Sequence, residues 1–192
     1  MKLIISIDNI REFRPIAKDI PEDRILPYIR EAQQYELKQL LGDALYYDFL
    51  LRFDNQADGK YNDYQALLNG KSYPWGVQTI EHPGLIPYMS YHTLSKFYTG
   101  NPLNVTKYGI VTKIADQSEA IDARVLAAEV AALKSNALAD QADIIKYLTN
   151  NGTLYPLYVF QDGSALGQNS VGFFDPDRPK AYARNGRTLT SF

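Results

Sequence analysis

Residues 21–53 read PEDRILPYIREAQQYELKQLLGDALYYDFLLRF, and the fold turns on this run. Ile25, Ile29, Ala32 and Leu40, joined by Tyr28 and Tyr35, recur at a spacing near 3.6 and predict one apolar helix stripe. Glu22 and Asp23 fall in its first turn, where negative charge suits the macrodipole. Gly42 stands where a left-handed residue stops a helix, and Asp43 is placed to cap the next one. That second helix, Ala44–Phe53, carries Leu45, Phe49 and Phe53 four apart. Helix, glycine break, helix is the expected plan.

Working outward, residues 8–18 predict a short helix behind Asp8 as N-cap. Asp54–Lys60 is a polar turn, and Asn62–Asn69 a short helix ended by Gly70. Ser72–Gly84 holds Pro74, Trp75-Gly76 and Pro83-Gly84, so no helix crosses it, while Val77–Glu81 reads as a short strand. Leu85–Thr99 returns to helix, heavily aromatic, and Gly100-Asn101-Pro102 ends it. Val105–Ile114 alternates, as a strand or an extended arm, and is expected to pair with Val77–Glu81 in a small two-stranded ribbon. Such a ribbon is marginal alone and needs a packing partner.

Ser118–Asn150 is the longest helical pattern, with a break expected near Ala139 because Asp140 is placed to cap a second half. Its apolar positions make two stripes about 140° apart on a 3.6-residue helix. Ile121, Val125, Ala128 and Ala132 form the slim one; Leu126, Val130, Leu133 and Ala137 form the bulkier one. A surface helix needs one stripe. Two imply a helix clamped on both sides, by layers of its own fold or by a neighbouring subunit, with the neighbour slightly favoured. Tyr155–Phe160 is a short extended apolar run, and Gly163–Phe192 has no helical period. The expected fold is mainly α: a small helical bundle over residues 1–160 with a short two-stranded β-ribbon or extended arm. A long irregular C-terminal arm, residues 161–192, follows it and is expected to lie on a neighbour.

Composition narrows the function. The 192 residues are 45% hydrophobic and 22% charged, ordinary for a soluble globular protein. A net charge of −2 gives no drive to coat nucleic acid or anionic membrane. No Cys is present, which removes disulfides, thiolate nucleophiles and Cys-based zinc sites. The apolar start Leu3–Ile7 is too short for a signal peptide, and no run approaches the roughly 18 apolar residues of a membrane span. Synthesis and use in a cytoplasm are expected. Fifteen Tyr against one Trp supply many side chains with an apolar body and a polar tip, at home in half-buried subunit contacts or in a tyrosine-rich core.

The residues that carry chemistry do not assemble into a catalytic pattern. His82 and His92 lack metal spacing and read as a turn residue and a partly buried ring. Asp54-Asn55-Gln56-Ala57-Asp58-Gly59 starts like a calcium loop, yet position twelve, where a bidentate Glu is needed, is Gln65. An Asx-type turn is the better reading. No phosphate-binding loop or dinucleotide fingerprint occurs, and Gly163–Gly167 does not frame a nucleophile elbow. Asp175 and Asp177 lie where nothing desolvates them. The chain is expected to be no enzyme, with no catalytic residue, cofactor or metal.

Ser6-Ile7-Asp8, Pro21-Glu22-Asp23, Ile25–Gln33 and Leu40-Leu41-Gly42 with Leu45-Tyr46 together resemble the head–tail connector (adaptor) proteins of tailed bacteriophages. Asn104–Val111, between an aromatic helix and a long one, is similar to the version in phages of Bacteroides-like hosts, including the neck ring proteins of crAss-like phages. The resemblance covers roughly residues 3–150, and its motifs are patterns of polar and apolar positions of moderate specificity. It implies a homo-oligomeric ring, commonly dodecameric, in the virion neck. Its partners would be the portal protein and the adjacent neck or tail rings. Double-stranded DNA would pass through its channel without specific binding, and no membrane is involved. Interface candidates are Lys107, Tyr108 and Lys113 on the extended segment, and Tyr182, Arg184, Arg187 and Phe192 on the arm. A tail-completion or stopper protein of the same neck, or a small helical protein-binding adaptor module, are the alternatives.

Overall fold

A computed structural model describes residues 2–14, 20–100, 103–106, 109–112 and 123–159. It is mainly helical, in the order α1 (Ile7–Phe13), α2 (Glu22–Ala32), a π-helical turn (Gln33–Leu37), α3 (Lys38–Arg52) and α4 (Tyr61–Asn69). Strands β1 (Lys71–Trp75) and β2 (Gln78–His82), α5 (Leu85–Gly100), strands β3 (Leu103–Thr106) and β4 (Gly109–Thr112), and α6 (Ala123–Asn150) follow. Residues 161–192 lie outside the described residues.

Helix α1 is capped by Ser6, not Asp8. The Ser6 hydroxyl accepts from Asn9 N–H at 3.3 Å and Asn9 Oδ1 accepts from Ser6 N–H at 2.9 Å, a reciprocal capping box. Pro21 precedes α2 in the extended conformation, with Glu22 and Asp23 in the first turn as expected.

The predicted helix does not run straight to Leu41. Five residues after Ala32 widen into a π turn, which holds one residue more than an α turn would. On unbroken α spacing the buried line through Ile25, Ile29 and Ala32 continues at residue 36. With the wider turn the buried position is Leu37 instead, and Leu40 and Leu41 are buried after it. Tyr35, predicted on the core stripe, is therefore turned out to solvent. Glu36 is spared the core.

Gly42 has φ 73° and ψ 160°, a conformation open to glycine and costly for other residues, so the predicted break is present. Its ψ is extended rather than left-handed helical, which kinks α3 sharply at this point. The Asp43 carboxylate, expected as the next cap, meets Lys38 Nζ at 3.3 Å.

Both hairpins depart from the predicted ribbon. β2 matches the expected strand, but its antiparallel partner is β1, from Lys71↔His82 to Trp75↔Gln78. The two-residue loop has positive φ only at Gly76, the II′ pattern that matches strand twist. Pro74 fits β1 because its carbonyl faces outward and accepts from Asn150 Nδ2 at 3.2 Å, so no ladder donor is missed. The alternating run Val105–Ile114 is no single strand. It folds back on itself, Leu103↔Thr112 to Thr106↔Gly109, pairing its own backbone where one lone strand would leave both edges bare.

α5 is the central helix, packed on α1, α2, the π turn, α4 and α6. Tyr28 of α2 meets the Phe97 ring edge-on at 5.6 Å. Pro87 falls in the first turn of α5, where a missing N–H costs nothing. α6 runs unbroken through Ala139 and Asp140, against the predicted break, because alanine-rich sequence sustains a helix and Asp140 is half-buried against the body. Of the two predicted stripes, the bulky one is covered: Leu133 and Ala137 are buried, Leu126 and Val130 half-buried. The slim one is open, with Val125, Ala128 and Ala132 exposed and Ile121 outside the described residues. The run after α6 forms hydrogen-bonded turns rather than an extended segment over its described part, with Tyr155 buried.

Candidate functional site

The π turn and the Gly42 kink lie within one stretch of ten residues and shape one surface. Inward, the Gln33 amide is fully buried: Oε1 accepts from Ile4 N–H at 3.1 Å and Nε2 donates to the Lys2 carbonyl at 2.7 Å. A side-chain amide thus imitates a neighbouring strand and fastens the N-terminal segment. Outward, Glu36 pairs with Lys96 at 3.0 Å, and Lys96 stands 5.8 Å from the centre of the Tyr35 ring. Tyr88 O–H donates to the Glu36 carbonyl at 3.3 Å, tying the turn to α5. His92, half-buried beside Tyr88, has its pKa lowered by burial, with Glu36 opposing the shift.

A groove of about 370 Å³ runs between the turn and the kink, lined by Gln34, Tyr35, Lys38, Gln39, Gly42 and Asp43. Lys38 lies 5.3 Å from the centre of the Tyr47 ring, and its pairing with Asp43 raises its pKa. Tyr35 is 60% exposed, Tyr47 59% and Leu51, one turn beyond Tyr47, 70%. Large side chains fixed at this exposure beside a groove are what a protein-contact surface is built from. The lining offers two amides, one ion pair and one ring, with the Tyr47 ring beside Lys38, a set suited to holding another chain.

The other polar groups singled out in the sequence have structural duties. His82 is buried at the end of β2, stacked on Tyr147 with ring centres 3.8 Å apart, and Nδ1 accepts from Gly84 N–H at 3.2 Å. Burial pushes its pKa down to about 4, so the ring is neutral near pH 7. In the 54–60 turn, Asn55 Oδ1 accepts from Ala57 N–H at 3.3 Å and Asp58 Oδ1 from Lys60 N–H at 2.8 Å, the geometry of Asx turns. The acids there point apart, Asp54 to Lys2 and Asp58 to Arg52. Among the described residues no group of three acid or histidine side chains is placed to hold a metal ion.

The interface candidates read from sequence, Lys107, Tyr108, Lys113, Tyr182, Arg184, Arg187 and Phe192, all lie outside the described residues. The structure brings forward instead Tyr35, Tyr47 and Leu51, which sequence reasoning assigned to the core or left unmarked. A signal for Leu51 was present: it sits off the Leu45–Phe49–Phe53 line of its own helix. Tyr35 had none, because the π turn that rotates it outward has no signature in the spacing.

A family model matches residues 37–165, more than half of the chain. The chain belongs to DUF6712, a family of unknown function. No curated protein and no solved structure matches it. The DUF6712 match takes in Lys38, Gly42, Asp43, Tyr47 and Leu51, both hairpins and the whole of α6, while Gln33–Glu36 precede it. Among the described residues of this DUF6712 chain, no helix is long and apolar enough to cross a membrane.

Proposed function

We propose that this DUF6712 chain is a structural virion protein that forms a ring in the head–tail neck of a tailed phage, below the portal. Its work is geometric: matching capsid vertex to tail and lining the channel through which DNA passes. The observation that carries the reading is the exposed Tyr35–Tyr47–Leu51 surface beside the Gly42 groove, on helices α2 and α3 whose other large apolar side chains are buried or half-buried. The resemblance adds the rest. Ser6, Pro21 and Gly42, which carry part of it, are the residues that start α1, start α2 and kink α3. A net charge of −2 agrees with a conduit that must not grip phosphate.

On this reading Lys107, Tyr108, Lys113, Tyr182, Arg184, Arg187 and Phe192 remain the candidates for contact with a neighbouring subunit or the portal. Catalysis and cofactors have no part in it. A stopper or tail-completion role in the same neck would use the same contact face.

Mass photometry of the purified chain, alone and with a portal protein, tests the proposal. Rings, or portal-bound assemblies, are expected. A chain that stays monomeric at micromolar concentration and ignores the portal overturns the neck role and leaves a protein-binding adaptor module as the better account. Removing residues after Asp162 is expected to leave the fold intact and abolish assembly.

A further inference from the structure

Facing pairs along an antiparallel hairpin alternate: one exchanges hydrogen bonds, and the next points its backbone groups out of the ladder. Pro74 faces Thr79, and the Pro74 carbonyl points outward to Asn150. Thr79 therefore points outward too, and so, two residues on, does Glu81. The two edges of this hairpin differ. Proline and the Asn150 amide close the β1 edge, while β2 carries neither proline nor bulge. Among the described residues nothing bonds to the outward N–H and C=O groups of Thr79 and Glu81, and both residues are exposed.

The second hairpin is short of a partner in the same way. Two residues again separate its strands, so the same alternation turns the backbone groups of Ile110 and Thr112 out of the ladder. Among the described residues β3 and β4 pack closely on each other and on no helix. A ribbon of two strands is marginal unless a third strand or a helix supports it. The hairpins also stand at opposite ends of α5: β2 ends three residues before it, and β3 begins three residues after it. The 16 residues of α5 put about 24 Å of helix between them, and within one chain they form separate sheets.

We propose that β4 of one copy adds to the open edge of β2 on the next, joining the two hairpins into one four-stranded sheet across the subunit boundary. The occupant is a second copy because each chain carries one open edge of each kind and holds its own two apart. An antiparallel register that sets Thr79 against Thr112 and Glu81 against Ile110 pairs every outward group of both strands. Lys107 and Tyr108 precede β4 and Lys113 follows it, so three interface candidates read from sequence adjoin this contact. Because the two edges differ, the contact is heterologous, and its repetition closes a ring or continues as a filament. The inference rests on the ring reading above and gives that ring its lateral contact.

The chain has no cysteine, so an introduced disulfide reports the pairing without interference. Hydrogen-bonded partners in an antiparallel ladder have Cα atoms about 5.5 Å apart, within reach of a disulfide. Thr79→Cys, Thr112→Cys and the double variant are oxidised during assembly, in free solution or on the portal, once circular dichroism shows that each folds as the wild type does. On non-reducing gels the double variant is expected to give a covalent ladder of oligomers. An equimolar mixture of the single variants is expected to give a dimer and nothing larger, and each single variant alone only monomer. Thr79→Pro removes an outward N–H and no bond of the hairpin itself, and is expected to lose every species larger than a monomer in sedimentation velocity. The pairing is overturned if Thr79→Pro assembles like the wild type, if the disulfide forms within one chain or not at all, or if Thr79→Cys joins to itself. A wild-type chain that assembles while these variants fail the pairing removes this contact and leaves the neck role standing. A wild-type chain that never assembles, even with portal, removes both.

Discussion

The Gln33 side chain lies against the Ile4 backbone as a strand would, accepting the Ile4 N–H at 3.1 Å while donating to the Lys2 carbonyl at 2.7 Å. Both partners belong to a segment before α1 that has no sheet to join. Gln33 follows Ile29 by four residues, so helix spacing turns it inward, and the π turn begins at this same residue.

Gln33→Leu keeps the volume and removes both bonds, leaving the Ile4 N–H buried without a partner. The expected cost is about 1–3 kcal/mol, read as a lower urea midpoint with unchanged m-value. Amide exchange at Ile4 is expected to accelerate before the core amides of α5 do. Equal protection at Ile4 in both proteins would show that the clamp is dispensable.

Gly84 and Gly76 separate two reasons for a glycine. Both have positive φ, but a Cβ at Gly84 would sit 2.4 Å from Gly70 N, while at Gly76 nothing lies within 4 Å. Gly76→Ala is expected to cost about 1–2 kcal/mol from backbone conformation alone. Gly84→Ala is expected to cost clearly more, because the backbones of the α4 end and the α5 start must part. Thermal melts of the two variants, side by side, check the order.

Acidification acts on His82 with a definite sign. Its folded pKa, depressed by burial to about 4, lies below the unfolded value near 6.5, so between those values the unfolded chain binds more protons. The contribution of the neutral ring is complete above about pH 6.5 and is lost as pH falls towards 4. Asp140 opposes it: burial, then the neighbouring Asp143, push its carboxyl up to about 6, so its ionisation weakens the fold as pH rises through that value. Asp140→Asn is therefore expected to stabilise the protein above pH 6 and to lose that advantage near pH 4. Urea midpoints of wild type and variant at pH 4, 6 and 8 decide it, and a pH-independent difference would count against the assignment.

Tyr155 closes the core beneath the first hairpin. Its hydroxyl donates to the Asp63 carbonyl at 2.6 Å and lies 3.1 Å from the Tyr147 hydroxyl, whose ring carries His82 on its face. Tyr155→Phe is expected to cost about 1–3 kcal/mol in denaturant titration, since two buried polar atoms lose a partner. The far-ultraviolet spectrum is expected to stay unchanged.

Local chemistry made much of this fold legible. Gly42 and Gly70 announced their breaks because positive φ is penalised in every other residue type, and both have it. The aromatic helix Leu85–Gly100 and the start of α2 at Pro21 were equally plain. The candidate surface was not. Tyr35 stands at the edge of the apolar stripe of an ideal helix, and the one widened turn rotates it further out. Spacing arguments assume a constant period and pass over such a turn.

Sequence by itself determined the mainly helical character, the glycine breaks and the capacity of the last long helix to show apolar residues on two sides, since each follows from contacts within a few residues. Tertiary structure alone decided which side is covered, that Lys71–Trp75 and not Val105–Ile114 pairs with β2, and that Asp140 stays inside one continuous helix. Those outcomes depend on what lies across the gap: α5 packs on α6 with Leu133 and Ala137 buried and Val125 open, and Asn150 donates to the outward carbonyl of Pro74 in its strand. Neighbours distant in the chain supply that information, and no local pattern contains it.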